Sequence, residues 1–331
     1  MIKSKSLFLI FLIFILSQIS LAHALCPFFT QNQSPLIQIY GLPSLGSASL
    51  LPHKKGDLRL TLDYASNYVA DANNRETLLL DGESARFTIG GKYGLQKAIE
   101  VGLEIPLISW GGGFLDDFII NYHSSFGFPQ GGRDQASRNR LLIRYEKDGQ
   151  ELLKMPGASS GIGDIKIYGA WQIYEQKEKT ALSLNACLKL PTGNSEELLG
   201  SGSLDFSLWI NGQQDFFPLY GKISFLGALG IMFMTSGNVL PDQQEHFIWF
   251  GSAGIGWRPW RPISFKVQIN GHSSFYKGSD LRELNAVSAQ IVLGGTIFLS
   301  ERFSLDLGVG EDLIVKTSPD VVFHLSGRYT F

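Results

Sequence analysis

The last eleven residues, Val321-Val322-Phe323-His324-Leu325-Ser326-Gly327-Arg328-Tyr329-Thr330-Phe331, alternate strictly between two kinds of side chain. Val321, Phe323, Leu325, Gly327, Tyr329 and Phe331 share one face, and Val322, His324, Ser326, Arg328 and Thr330 share the other. A period of two is that of a strand, because successive side chains leave the backbone on opposite sides. One apolar and one polar face suit a strand that separates an apolar medium from water. An edge strand of a soluble sheet alternates in the same way over a short run, so the rest of the chain must decide.

The pattern recurs along the chain. Residues 57–64 set Leu58, Leu60, Leu62 and Tyr64 against Asp57, Arg59, Thr61 and Asp63. Residues 86–93 and 99–107 repeat it with Arg86 and Lys92, then Glu100 and Glu104, on the polar side. Residues 164–174 place Asp164, Lys166, Tyr168 and Gln172 on that side, and 182–190 place Cys187 and Lys189 there. The run 204–210 is weaker because Trp209 sits among the polar positions. Segments 219–233, 247–257, 263–275, 287–299 and 303–309, with the terminal one, bring the number to about twelve. Short links at 94–97, 175–179, 212–216, 258–262 and 300–302 alternate with long ones at 67–85, 109–163, 191–203, 235–246 and 276–286, as in a barrel with tight turns at one end and loops at the other. Counting 140–145 as a wall strand would make thirteen and leave the two ends of the barrel on opposite sides, so it is assigned to the 109–163 insertion. Within that insertion Phe114, Phe118, Ile119 and Tyr122 recur at helical spacing, which predicts a short helix.

Residues 1–24 read as a cleavable leader: Lys3 and Lys5, the apolar run 7–16, then Ala22-His23-Ala24 before the cut. Leu25 directly before Cys26 argues against a lipid-anchored cysteine. The chain has 30 acidic and 28 basic residues, and loss of Lys3 and Lys5 makes the remainder more acidic, against a nucleic-acid partner. Past the leader no run reaches the eighteen or so apolar residues of a membrane helix, so a membrane would be crossed by strands. The expected fold is all-β, a transmembrane antiparallel up-and-down β-barrel of about 12 strands with a long extracellular insertion containing a short helix. The expected place is the bacterial outer membrane. Residues 25–55, broken by Pro27, Pro35, Pro43 and Pro52, are expected to be irregular and are a candidate lumen plug ahead of a barrel spanning 56–331. A terminal Phe331 with Tyr329 two residues earlier resembles the signal by which outer-membrane barrels are recognised for insertion. That resemblance implies barrel-assembly machinery and outer-membrane lipid as partners.

Four stretches carry a wider resemblance: 34–43 with Ile39-Tyr40-Gly41-Leu42-Pro43; 117–133 with Phe126-Gly127-Phe128-Pro129-Gln130-Gly131-Gly132-Arg133; 160–165; and Lys189-Leu190-Pro191-Thr192-Gly193. Together they resemble the proteobacterial family catalogued as domain of unknown function 3187, over nearly the whole mature chain. The Gly-x-Gly-Asp and Lys-Leu-Pro-Thr-Gly pieces are also similar to outer-membrane proteins associated with phenol degradation. Neither resemblance supplies a substrate or a catalytic residue.

The polar faces mix both signs: Arg59, Arg86, Lys92, Lys166, Lys189 and Arg328 with Glu100, Glu104 and Asp164, and Tyr168 among them. Such mixtures pair across neighbouring strands, whereas a strongly ion-selective pore would show one sign. Glu100 and Glu104 are four residues apart on a strand, roughly 13 Å, too far to share a proton. His272 and Ser274 share a face and are the candidates for a base and nucleophile, resembling the His-x-Ser element of outer-membrane lipid hydrolases. They face the lumen, and no Asn follows the Ser, so no catalytic residue is assigned. Gly90-Gly91-Lys92 lacks the first glycine of a phosphate loop, and the scattered His give no metal-ligand spacing, so no cofactor is expected. A disulfide between Cys26 and Cys187 would require the amino-terminal segment to enter the barrel. The expected function is passage of a small solute, apolar or aromatic character being the candidate. The gate would be the 109–163 insertion, through Phe114, Asp117, Phe118, Tyr122, His123 and Arg133 folded over or into the mouth. A lipid-modifying hydrolase and a structural or assembly barrel are the alternatives.

Overall fold

The computed structural model describes residues 25–331 apart from 128–129, 156, 178 and 315–316; the leader expected at 1–24 lies outside the described residues. In chain order the strands are β1 (Gly56–Ala72), β2 (Glu76–Gln96), β3 (Ile99–Gly111), β4 (Leu142–Lys147), β5 (Gln150–Lys154), β6 (Ser159–Ile162), β7 (Lys166–Gln176), β8 (Thr180–Lys189), β9 (Asp205–Phe216), β10 (Lys222–Met234), β11 (Phe247–Trp260), β12 (Ile263–His272), β13 (Ser288–Phe298), β14 (Phe303–Asp312) and β15 (Val321–Thr330). Among the described residues the α-helices are α1 (Asp116–Phe126) and α2 (Arg282–Asn285). Twelve of the strands form a closed antiparallel barrel in which each pairs with its sequence neighbours, β3 passing to β7 across the insertion. β15 closes the ring on β1, from Asp57 opposite Thr330 to Ser66 opposite Val321. The alternation read from the sequence is the two-sidedness of this wall. Leu58, Leu60, Ile99, Val101, Leu103, Ile255, Phe265, Val267, Leu307 and Leu325 are all exposed on its outer face, as in a barrel bathed in lipid.

The three remaining strands belong to the insertion. β4 pairs with the end of β2 above the reach of β3, Glu76 opposite Lys147 to Asp81 opposite Leu142, and β5 adds to β4. β6 pairs with the end of β3 above the reach of β7. The segment around 140–145 is therefore a strand outside the ring, and the wall stays at twelve.

Two links differ from expectation. Residues 67–85 are not a loop: β1 and β2 continue to Ala72 and from Glu76, and only 73–75 join them. Their upper ends lost the alternating signature because protein covers both sides, Leu78 and Leu80 packing inward and the insertion covering Ser66 and Glu83 outside. Residues 212–216 are not a turn either. β9 runs through Gly212, with Gln213 and Asp215 inward, and the turn follows at 217–221. Trp209 faces inward and is buried, so its place among the polar positions was a true lumen position.

The terminal aromatic closes the seam. Gly56 N–H donates to the Phe331 carbonyl at 3.0 Å and Phe331 N–H to the Gly56 carbonyl at 2.9 Å. Deleting Phe331 removes both bonds at the junction that joins the last strand to the first. The expected outcome is a lower level of folded protein in the membrane fraction, seen as loss of the heat-modifiable band, with normal levels counting against it.

Candidate functional site: the occupied lumen

A barrel of twelve strands has room inside for more than its own side chains, and here the chain fills that room with residues 25–52. They rise from the short-turn end to the long-loop end and return. On the way up, Phe28 N–H donates to Gln268 Oε1 at 2.7 Å and the Gln268 amide donates back to the Phe28 carbonyl at 3.3 Å. Thr30 Oγ1 donates to Asp63 at 2.9 Å, and Asn32 Nδ2 lies 3.1 Å from Ser288 Oγ. At the top the Tyr276 hydroxyl donates to the Leu36 carbonyl at 3.0 Å. On the way down Gly41 N–H donates to Asp205 Oδ2 at 2.7 Å, Leu50 N–H to Gln172 Oε1 at 2.8 Å and Leu51 N–H to Glu100 Oε2 at 2.9 Å. Gly41 has no alternative, since a Cβ there would stand 2.8 Å from Asp205 Cβ and 3.1 Å from Lys189 Cβ.

The lumen has three levels. At the long-loop end lies an apolar core. Leu36, Ile39 and Tyr40 of the threaded segment pack with Leu78 and Leu80 of β2, Ile143 and Tyr145 of β4, and Phe275, Tyr276, Leu281 and Leu284 of the β12–β13 loop. Tyr40 and Phe275 stack with ring centroids 5.0 Å apart.

In the middle lies a belt of paired charges. Lys189, fully buried, meets Asp164 at 2.6 Å and Asp205 at 3.1 Å. Lys166 gives its ammonium to Gln31 Oε1 at 2.8 Å and the Leu42 carbonyl at 2.7 Å, Arg86 donates to the Gln38 carbonyl at 3.2 Å, and the Tyr168 hydroxyl donates to Glu104 at 2.8 Å. Lower down, Lys92 meets Glu100 at 3.0 Å and Arg328 meets Asp57 at 2.8 Å. Every lumen residue expected from the alternation faces inward. What the alternation did not reveal is that Arg86, Glu100 and Lys166 bind backbone or amide groups of residues 25–52.

At the short-turn end the segment stops filling the space. A cavity of about 460 Å³ opens there, walled by Arg59, Lys222, Arg328, Asp215, Asp306 and Phe298 and rimmed by the 175–180 and 301–304 turns. Arg59 stacks over the Phe29 ring at 4.3 Å, and among the described residues no carboxylate pairs with it.

The remaining sequence candidates fall elsewhere. His272 Nδ1 lies 2.8 Å from the Ser273 carbonyl and Nε2 lies 3.0 Å from Asn32 Nδ2. The first contact needs a proton on Nδ1, so a neutral ring accepts at Nε2 from the Asn32 amide. Ser274 Oγ is spent on the Tyr276 and Leu284 carbonyls of the loop, so the two do not form a base and nucleophile. Cys26 and Cys187 are not joined: the Cys26 thiol lies 3.2 Å from Arg328 Nη1, while Cys187 is buried on β8 opposite Tyr168 of β7.

The insertion residues expected at the mouth lie on the outer wall. α1 does not cover the mouth. Leu115 and Ile119 pack on Val321, Tyr64 and Phe323, which point away from the lumen, since His324 and Asp63 point into it and bond each other at 2.7 Å. Phe114, Phe118 and Tyr122 are exposed on the outside of the barrel, Asp117 meets Arg138 at 3.0 Å, and His123 lies beside Tyr122. Arg133 is buried against the same outer face, 2.5 Å from both Asp116 and Asp320; burial pushes the Asp320 carboxyl above its ordinary range despite the guanidinium. The buried apolar residues of the helix, Leu115 and Ile119, meet the outer wall and not the mouth.

One solved structure shares this fold, and others show weaker similarity. The COG4313 outer membrane channel from Pseudomonas putida F1 aligns over 86% of this chain and 97% of its own, with 13% identity and a TM-score of 0.53. The KdgM porin covers 84% of this chain and 99% of its own at 7% identity and a TM-score of 0.42. The CymD monoaromatic hydrocarbon channel covers 95% and 97% at 11% identity and a TM-score of 0.37. No curated protein matches the chain in sequence. The model of the family described as protein of unknown function DUF3187 matches residues 4–331, and the chain belongs to that family.

Proposed function

We propose that the protein is an outer-membrane channel for a small solute, closed in this state by residues 25–52. The observation that carries the reading is the way the lumen is occupied. Below the apolar cap the segment is held by separate hydrogen bonds to wall side chains, each worth about 0.5–1.5 kcal/mol net with a neutral partner and about 1.5–3 kcal/mol with a charged one, because water replaces it on release. A cavity already stands beneath it. With an even number of strands and both ends of the barrel at the short turns, that end faces the periplasm and the insertion faces outward. Solute passage then requires the segment to shift, and the insertion's helix has no part in it.

The character of the solute also changes. Apolar or aromatic character was expected from the insertion's rings, which lie on the outer wall. The cavity lining holds six basic and four acidic side chains, which favours a small polar or anionic solute. The hydrogen bonds of His272 and Ser274, spent on structure, support a reading without catalysis.

Planar-bilayer recording of the whole protein is the test, with brief openings from a closed baseline as the expected result. A structural barrel is the second reading, favoured by the apolar packing at the long-loop end. Silence both in the whole protein and after removal of residues 28–50 would leave that reading standing and end the channel proposal.

A further inference from the structure

The outward face of the barrel carries a ring of aromatics near its long-loop end on one side, from Phe206 of β9, Phe233 of β10, and Phe247 and Trp249 of β11. Phe233 and Phe247 pair at 5.2 Å. On the opposite side, where β15, β1 and β2 meet, the strands offer Ser66 and Glu83 on the outer face, beyond Tyr64 and Phe323. A bare serine and carboxylate facing lipid would be costly.

α1 covers that arc. The Glu83 carboxylate, almost wholly buried, accepts from Phe114 N–H at 3.0 Å, Leu115 N–H at 2.6 Å and the Tyr64 hydroxyl at 2.5 Å. It thereby binds the backbone that leads into the helix and sets a negative charge beside the helix N-terminus. Gly113, at φ +73°, makes the approach possible, since a Cβ there would stand 1.8 Å from Glu83 Cδ. Arg133 covers the neighbouring Ser66 through its Oγ at 3.0 Å and holds Asp116, the first residue of the helix. Leu115 and Ile119 pack on the wall, and Phe114, Phe118 and Tyr122 form the exposed flank beside them. Tyr64 meets Phe114 at 5.4 Å, Phe323 meets Phe118 at 6.2 Å, and Phe118 meets Tyr122 at 6.2 Å. The rings run without a break from the lipid-facing wall onto the helix.

We propose that α1 is an interfacial anchor that embeds Phe114, Phe118 and Tyr122 in the outer-leaflet lipid and completes the aromatic girdle over β15, β1 and β2. The occupant is lipid because the exposed rings are continuous with a face that lipid already covers, and aromatic side chains favour the boundary between acyl chains and headgroups. Phe114 is 69% exposed and Phe118 53%, levels a helix facing water would not sustain for adjacent rings on one stripe. The inference rests on the membrane placement proposed above and not on transport.

A nitroxide at Phe118→Cys tests it, in protein with Cys26→Ser and Cys187→Ser reconstituted in bilayers, beside a Leu60→Cys control on the bare wall. Oxygen collects among acyl chains and a charged nickel complex in water. The expected result is an excess of oxygen over nickel collisions at 118, of the same sign as at 60. Nickel dominating at 118 alone overturns the anchor; nickel dominating at both sites overturns the membrane placement instead. Protection from both reagents at 118 means a protein partner and overturns the anchor as well. Should Phe118→Cys fail to fold, Phe114→Cys reads the same stripe.

Discussion

Replacing residues 28–50 with a glycine–serine linker of the same length is expected to turn a barrel that is closed most of the time into one that conducts steadily. The time-averaged current should rise by roughly tenfold or more, because a twelve-stranded lumen lies between the filled eight-stranded barrels and the open channels of sixteen strands or more. The segment supplies no strand to the ring, so the wall survives its loss. It does leave Lys166 and Arg86 without Gln31, Leu42 and Gln38, and these freed bases should make the open state prefer anions, read as a reversal potential in a salt gradient. An unchanged current would mean that the segment does not block the path.

Lys189→Met carries the second large effect. The ammonium sits fully buried between Asp164 and Asp205 and also donates to Ser201 Oγ. Methionine keeps most of the volume and removes the charge, leaving two carboxylates in the same dry pocket. Breaking one side of a buried ion pair costs on the order of 3–5 kcal/mol, and here both acids have further duties. Asp164 accepts from Gly193 and Ser201 N–H, which shape the β8–β9 loop, and Asp205 accepts from Gly41 N–H of the threaded segment. The midpoint for loss of the heat-modifiable form should fall sharply. The triple variant Lys189→Met, Asp164→Asn, Asp205→Asn should recover much of the loss, because no unpaired charge remains. A midpoint unchanged in the single variant would show that the triad contributes little.

The wall was legible because each of its faces meets one medium along most of its length, so a period of two survives in the sequence. It stopped being legible where that condition stops. Leu78, Leu79 and Leu80 continue β2 without alternation, because that end of the strand is covered on both sides. Gly212 read as a turn only because glycine serves both turns and close-packed strands. Residues 25–55 showed their irregularity through four prolines, but their partners were hidden. Gln31, Asn32 and Gln38 are uncharged amides that any surface loop could carry, and only the fold brings them to Lys166, His272 and Ser84. α1 was legible as a helix from its aromatic spacing, whereas its orientation was not. In water the exposed stripe of Phe114, Phe118 and Tyr122 would be the buried one, and beside lipid that inference reverses.

The threaded segment also sets a sequence of events for assembly. Its partners include Lys266, Gln268 and Arg328, the first two 240 residues away along the chain and the last 302. Residues made first therefore reach their final surroundings only after the last strands have arrived, and the loop-closure entropy of contacts this distant must be met late. Once β15 zips onto β1 the segment is enclosed, with both of its ends at the short-turn mouth. Ring closure and enclosure of the segment are then coupled in time, and a chain stalled before β12 would have its interior segment made but nothing to hold it.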